Sequence, residues 1–99
     1  MIIFYLRDEP TNKIKYRWQI ENMTDDTFSE VIGELRDTDQ TDGIWNLERK
    51  YGTLDFSGSQ ENGIWWMGFF SSEVTDWKGL AKEFEQIFAR LGYETRKLK

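Results

Sequence analysis

Two alternating runs open the chain. In Met1–Arg7, Ile2, Phe4 and Leu6 fall on one side, and Ile3 and Tyr5 on the other. In Lys13–Ile20, Ile14, Tyr16, Trp18 and Ile20 alternate with Lys13, Lys15, Arg17 and Gln19. Period two over a run of this length predicts a strand. The segment between the runs holds the one proline and predicts a hairpin connection. The period then changes. Phe28, Val31, Ile32 and Leu35 follow the i, i+3, i+4, i+7 spacing of a buried helical stripe, which predicts a helix over Asp25–Asp37. Thr24 suits its N-cap, and Asp25 and Asp26 suit the positive end of its dipole. Gly33 weakens it by about 1 kcal/mol relative to Ala.

Residues 44–70 predict a three-stranded meander. Its strands are IWNLERKY, with Trp45, Leu47 and Tyr51 inward, then GTLDFSG, with Leu54 and Phe56 inward, and IWWMGFF after a turn at SQENG. The last strand, Ile64–Phe70, is apolar on both faces and predicts a central position. SSEVTD supplies capping residues for a second helix over Asp76–Leu91. Its stripe is Trp77, Leu80, Ala81, Phe84, Ile87, Phe88 and Leu91, with Gly92 at the C′ position. The tail YETRKLK is either a last edge strand or a frayed end. The order ββαβββα predicts one α+β domain over residues 1–99, an antiparallel sheet of about five strands with two helices on one face.

Two helices cover only one side of such a sheet. Either Trp65, Met67 and Phe69, or Ile64, Trp66 and Phe70, then share the uncovered side with Ile3 and Tyr5. That patch marks either a homodimer or partner interface, or a surface covered by the tail or a loop.

Composition removes several chemistries. There is no Cys and no His, hence no thiolate nucleophile, no disulfide, and neither the commonest general base nor the commonest metal ligand. The remaining carboxylates lie on a convex helix and in turns, not across a cleft at the ~5–9 Å a glycosidase pair needs. Ser57 and Ser59 lack the strand–elbow–helix setting of a serine nucleophile. No phosphate-binding glycine loop is present. The expectation is a non-catalytic protein without a cofactor. No apolar run approaches the ~20 residues of a membrane span, and the first residues do not resemble a signal peptide; a soluble, cytoplasmic protein is expected.

The net charge of −5 is unevenly spread: residues 21–48 hold one base against nine acids. At 100° per residue, Asp26, Glu30, Glu34 and Asp37 fall within about 80° of one another, opposite the apolar stripe. Asp39, Asp42 and Glu48 extend the negative run. The second helix is an internal control. Its outer face, Lys78, Lys82, Glu85, Gln86 and Arg90, is mixed, which favours i,i+4 pairs, whereas Asp26–Glu30 and Glu30–Glu34 repel. Acids that only solvate a helix give the plain reading. The sharper one is a ridge fitted to a basic protein. Carboxylates one turn apart rise about 6 Å, close to the phosphate spacing of a nucleic-acid strand. The ridge, with Asp39 and Asp42, would then enter the Lys/Arg groove of a nuclease, another nucleic-acid-binding protein or a toxin. In size and charge alone this is similar to small phage-encoded anti-defence inhibitors, nucleic-acid mimics and immunity proteins.

Two alternatives come from other residues. Lys13, Lys15 and Arg17 line one strand near aromatics, as in sheets that bind RNA, although the overall acidity opposes direct nucleic-acid binding. Asp37–Glu48 partly resembles an EF-hand calcium loop, with acids at positions 1, 3 and 12 and Ile44 at position 8. It departs at position 5 (Thr41) and at position 6 (Asp42 where Gly is usual), and the following segment reads as a strand.

Overall fold

The computed structural model describes residues 1–21, 23–37 and 43–98, with the side chains of all of these but Asp25 and residues 34–37. The elements run β1 (Ile2–Asp8), β2 (Lys13–Ile20), α1 (Asp25–Asp37), α2 (Ile44–Tyr51), β3 (Asp55–Glu61), β4 (Ile64–Ser71), α3 (Trp77–Arg90) and β5 (Thr95–Leu98). The fold is α+β. Five strands form one sheet in the order β3-β4-β1-β2-β5.

The sheet is mixed, not wholly antiparallel: β1 and β4 are parallel, and the other three pairings are antiparallel. The reason lies in the two strands that are apolar on both faces. Both avoid the wet edges, so they pair in the middle. The intervening β2, α1, α2 and β3 supply the long crossover that a parallel pair requires. The tail takes the edge position, β5 pairing with β2.

The segment IWNLERKY is a helix, α2, not a strand. Ile44, Leu47 and Tyr51 are spaced i, i+3, i+7, and Ile44 and Leu47 are buried while Trp45 points out, 59% exposed. Read with period two, Trp45 and Leu47 share a face; on a helix they do not. The Gly43 carbonyl accepts from Asn46 N–H and Leu47 N–H at 3.1 and 3.2 Å, and Arg49 and Lys50 sit in the last turn, where the dipole favours cations. The meander is therefore a single hairpin. Its β3 runs on to Glu61, and the turn is Asn62–Gly63, both with positive φ (53° and 78°), as a two-residue type I′ connection demands.

α3 starts from Asp76, whose Oδ1 accepts from Gly79 N–H at 3.0 Å. It ends with Gly92 at φ 86°. Gly92 N–H bonds the Ala89 carbonyl and Tyr93 N–H the Phe88 carbonyl, the paired bonds of a Schellman motif. Leu91 lies past the helix and is 44% exposed, outside the expected stripe.

One core lies between the sheet and the helices. Ile2, Phe4 and Leu6 of β1 meet Trp18 and Ile20 of β2, Met67 and Phe69 of β4, Phe28, Val31 and Ile32 of α1, and the α3 stripe. Phe4 sits at its centre, with ring centroids of Trp18, Phe28, Phe69, Phe84 and Phe88 at 5.0–6.1 Å. Such contacts add stabilisation beyond buried area, ~0.5–1.5 kcal/mol per pair. Trp18 is buried with its indole N–H donating to Glu85 Oε2 at 3.1 Å. Glu85, expected on the outer face of its helix, is therefore spent on a core side chain.

Candidate functional site

Three surface features carry the candidate chemistry: the outer side of α1, the exposed start of α2, and the sheet face away from the helices.

α1 begins as its sequence predicts. Thr24 Oγ1 accepts from Thr27 N–H at 3.2 Å, and the Thr24 carbonyl accepts from Phe28 N–H at 2.9 Å. Phe28, Val31 and Ile32 turn to the core, and Asp26 and Glu30 are exposed. No ion pair among the described residues involves Asp26 or Glu30. Glu34 and Asp37 belong to the same helix, but their side chains, like Asp39 and Asp42 altogether, lie outside the described residues. The structure thus brings two of the six expected acids onto one solvent-facing turn.

Glu48 does not extend the ridge. Its Oε2 accepts from Leu54 N–H at 3.0 Å, so the carboxylate ties the end of α2 to the approach of β3. Glu48 is also the twelfth position of the EF-hand-like stretch. A helix at Ile44–Tyr51 is closer to an EF-hand than the expected strand is, yet this carboxylate is bound to backbone, and positions 2–6 of the stretch lie outside the described residues. No cluster of three or more metal-ligating side chains occurs among the described residues.

α2 contacts α1, and its first turn exposes Trp45, with the Arg49 guanidinium 5.2 Å from the ring centre. Trp45, Glu48 and Arg49 line a shallow depression of about 270 Å³. The strand reading hid this residue by placing it inward. The signal that could have found it is the helical spacing of its neighbours.

The pairing register settles which apolar set is uncovered. Ile2, Phe4 and Leu6 align with Trp65, Met67 and Phe69, on the helix side; Ile3, Tyr5 and Arg7 align with Trp66, Gly68 and Phe70, on the other. The register also divides the basic row of β2. A bulge between Leu6 and Arg7 pairs Leu6 with Tyr16 but Arg7 with Ile14. One residue of slip exchanges faces, so Ile14 comes to the open side, 42% exposed, and Lys13, paired with Asp8, leaves the side that Arg17 occupies. The three bases expected in one row are not one row. Arg7 turns along the surface, 4.8 Å above the Phe70 ring and bonded to Asn12 at 2.8 Å.

No helix among the described residues is long and apolar enough to cross a membrane. No protein-family model matches this chain, and neither a curated protein nor a solved structure does.

Proposed function

We propose that this chain is a non-catalytic protein-binding module whose α1 presents Asp26 and Glu30 to a basic groove of a partner, with Glu34, Asp37, Asp39 and Asp42 continuing the run in sequence. The partner's chemistry is cationic: a nuclease, another nucleic-acid-binding protein, or a toxin, inhibited by occupation of the groove. The observation that carries this reading is Trp45, 59% exposed on the helix that touches α1 and directly after the acidic segment. Acids alone would serve solubility, but an exposed Trp costs solubility. Trp is also enriched among the few residues that supply most binding energy at protein interfaces. Carboxylates would steer the encounter, and the indole would hold the complex.

Direct nucleic-acid binding by the sheet has less support. The bulge divides the basic residues of β2, and the open face that carries Arg17 and Trp66 also carries Asp55 and Glu61 on β3, which repel phosphate.

Affinity capture with the whole chain as bait, from cells that encode it, tests the proposal. The expected catch is a basic protein. Double reversal, Asp26→Lys with Glu30→Lys, slows association with it by about tenfold at low salt, with a smaller effect at high salt. Trp45→Ala speeds dissociation. Capture unchanged by all three substitutions would reduce the ridge to a solvated face.

A further inference from the structure

The described helices cover one face of the sheet only. Ile3 and Tyr5 are 5% and 8% exposed, yet neither belongs to the core that joins sheet and helices. On the same face Trp66 is the cross-strand neighbour of Ile3 and Arg17 that of Tyr5, both half-buried. No described helix lies over them.

The charges on this face are sorted by strand. At one flank, β2 and β5 contribute Arg17 and Arg96. At the other, β3 contributes Asp55 and Glu61, which align with Phe70 and Ile64 of β4. Between them β1 and β4 carry the apolar strip and, at one end of it, Arg7, whose guanidinium lies over the Phe70 ring.

We propose that a second copy of the chain docks on this face, about a two-fold axis parallel to β1. In the strand order β3-β4-β1-β2-β5, β1 is the middle strand. Rotation about an axis along it exchanges the flanks, laying β5 of one copy over β3 of the other and β2 over β4. Each basic flank then meets an acidic one, twice per dimer. An axis across the strands would set each flank on its own like, whereas the axis along β1 does so only for Arg7, which leans over Phe70 toward β4.

The register agrees along the strands. Arg96 pairs with Gln19, which pairs with Ile3; Ile3 lies beside Trp66, and Trp66 beside Ser59. Arg96 of one copy therefore falls over Ser59 of the other, one same-face step, about 7 Å, from Glu61. An arginine side chain spans that distance, the Arg96 guanidinium exchanging its 2.8 Å bond to Gln19 Oε1 for the carboxylate. Arg17, opposite Tyr5 in the same way, falls over Gly68 and the Tyr5 ring that packs beside it.

The area is sufficient. Five strands spaced at ~4.8 Å and about seven residues long at ~3.3 Å each give a footprint of roughly 550 Å² per copy. Two copies bury about 1,100 Å² before side-chain relief is counted, above the ~1,000 Å² of a specific interface. Two sheets packed in this way also bury the apolar strip as a sandwich does. The inference is independent of the proposed role of α1, which lies on the opposite layer.

Sedimentation equilibrium of the whole chain at low and high salt tests the proposal, with circular dichroism confirming the fold of each variant. The expected result is a monomer–dimer equilibrium that weakens with salt. Glu61→Arg and Arg96→Glu each raise the dimer Kd by about tenfold or more. An equimolar mixture of these two variants regains association, because every crossed pair is then of opposite sign. Trp66→Ser, which changes no charge, also shifts the chain to monomer. A chain that stays monomeric at about 100 μM in low salt overturns the proposal. Failure of the mixture to re-associate while each variant remains folded does so as well. Saturable binding of a single-stranded oligonucleotide by monomeric protein, lost in Trp66→Ser, assigns the face to nucleic acid instead.

Discussion

Gly68 and Tyr5 face each other across the central parallel pair, and a Cβ on Gly68 would strike the Tyr5 carbonyl and approach its ring. Backbone cannot yield as a side-chain end can, so Gly68→Ala is expected to destabilise by at least about 2 kcal/mol and to lower Tm by about 10 °C or more, checked by thermal unfolding. In the sequence, Gly68 is only an interruption within IWWMGFF. Its necessity comes from a strand some sixty residues earlier. Trp45 and Glu48 share this character. Their residue types were visible in the chain, but whether an indole faces solvent or a carboxylate faces a backbone N–H depends on which element they occupy. Asp26 and Glu30 are the opposite case: four-residue spacing opposite a buried stripe places them outside without knowledge of the rest of the fold.

Among the elements, the long periodic ones were legible. β1, β2, α1 and α3 each carry enough turns or alternations for one period to exceed the other, and their caps, Thr24, Asp76 and Gly92, mark the ends. α2 was not legible, because its eight residues hold barely two turns and its Trp, Leu and Tyr also suit a strand. What holds α2 in place is tertiary, and two carboxylates fix the segment that leaves it. Glu48 accepts from Leu54 N–H and Glu73 from Thr53 N–H. Glu48→Ala leaves a part-buried N–H without its acceptor and is expected to cost about 1–3 kcal/mol, with Glu48→Gln costing less, as measured by urea unfolding. The bonds from Thr53 hold the Glu73 carboxyl below its usual value. A lowered folded value means that this contribution is complete above the ordinary carboxylate range and is lost as pH falls through the folded value. Replacing Glu73 by Gln therefore flattens Tm against pH on the acid side and leaves the neutral plateau little changed in shape; melts across pH 2–6 check this.

At the scale of the whole molecule, a two-layer arrangement with helices on one side leaves the second sheet face to be accounted for, and the dimer inferred for it has a consequence for the acidic surface. A two-fold through the open faces turns both α1 helices outward, so a dimer would carry two acidic ridges, and a partner with two basic sites would gain avidity. Glu61→Arg is then expected to weaken capture of such a partner by bivalent chains while leaving the affinity of a single site intact, which surface-immobilised and solution titrations distinguish. The amino-acid sequence by itself determined the α+β class, the two opening strands, both long helices and the outward placing of Asp26 and Glu30, because each follows from local periodicity, capping and charge. Only the tertiary structure decided the parallel pairing of β1 with β4, the helical state of residues 44–51, the bulge that divides the bases of β2 and the choice of which aromatic set stays uncovered. Those outcomes depend on which distant segment a strand meets and in what register, and a period-two pattern is the same for either neighbour and either direction.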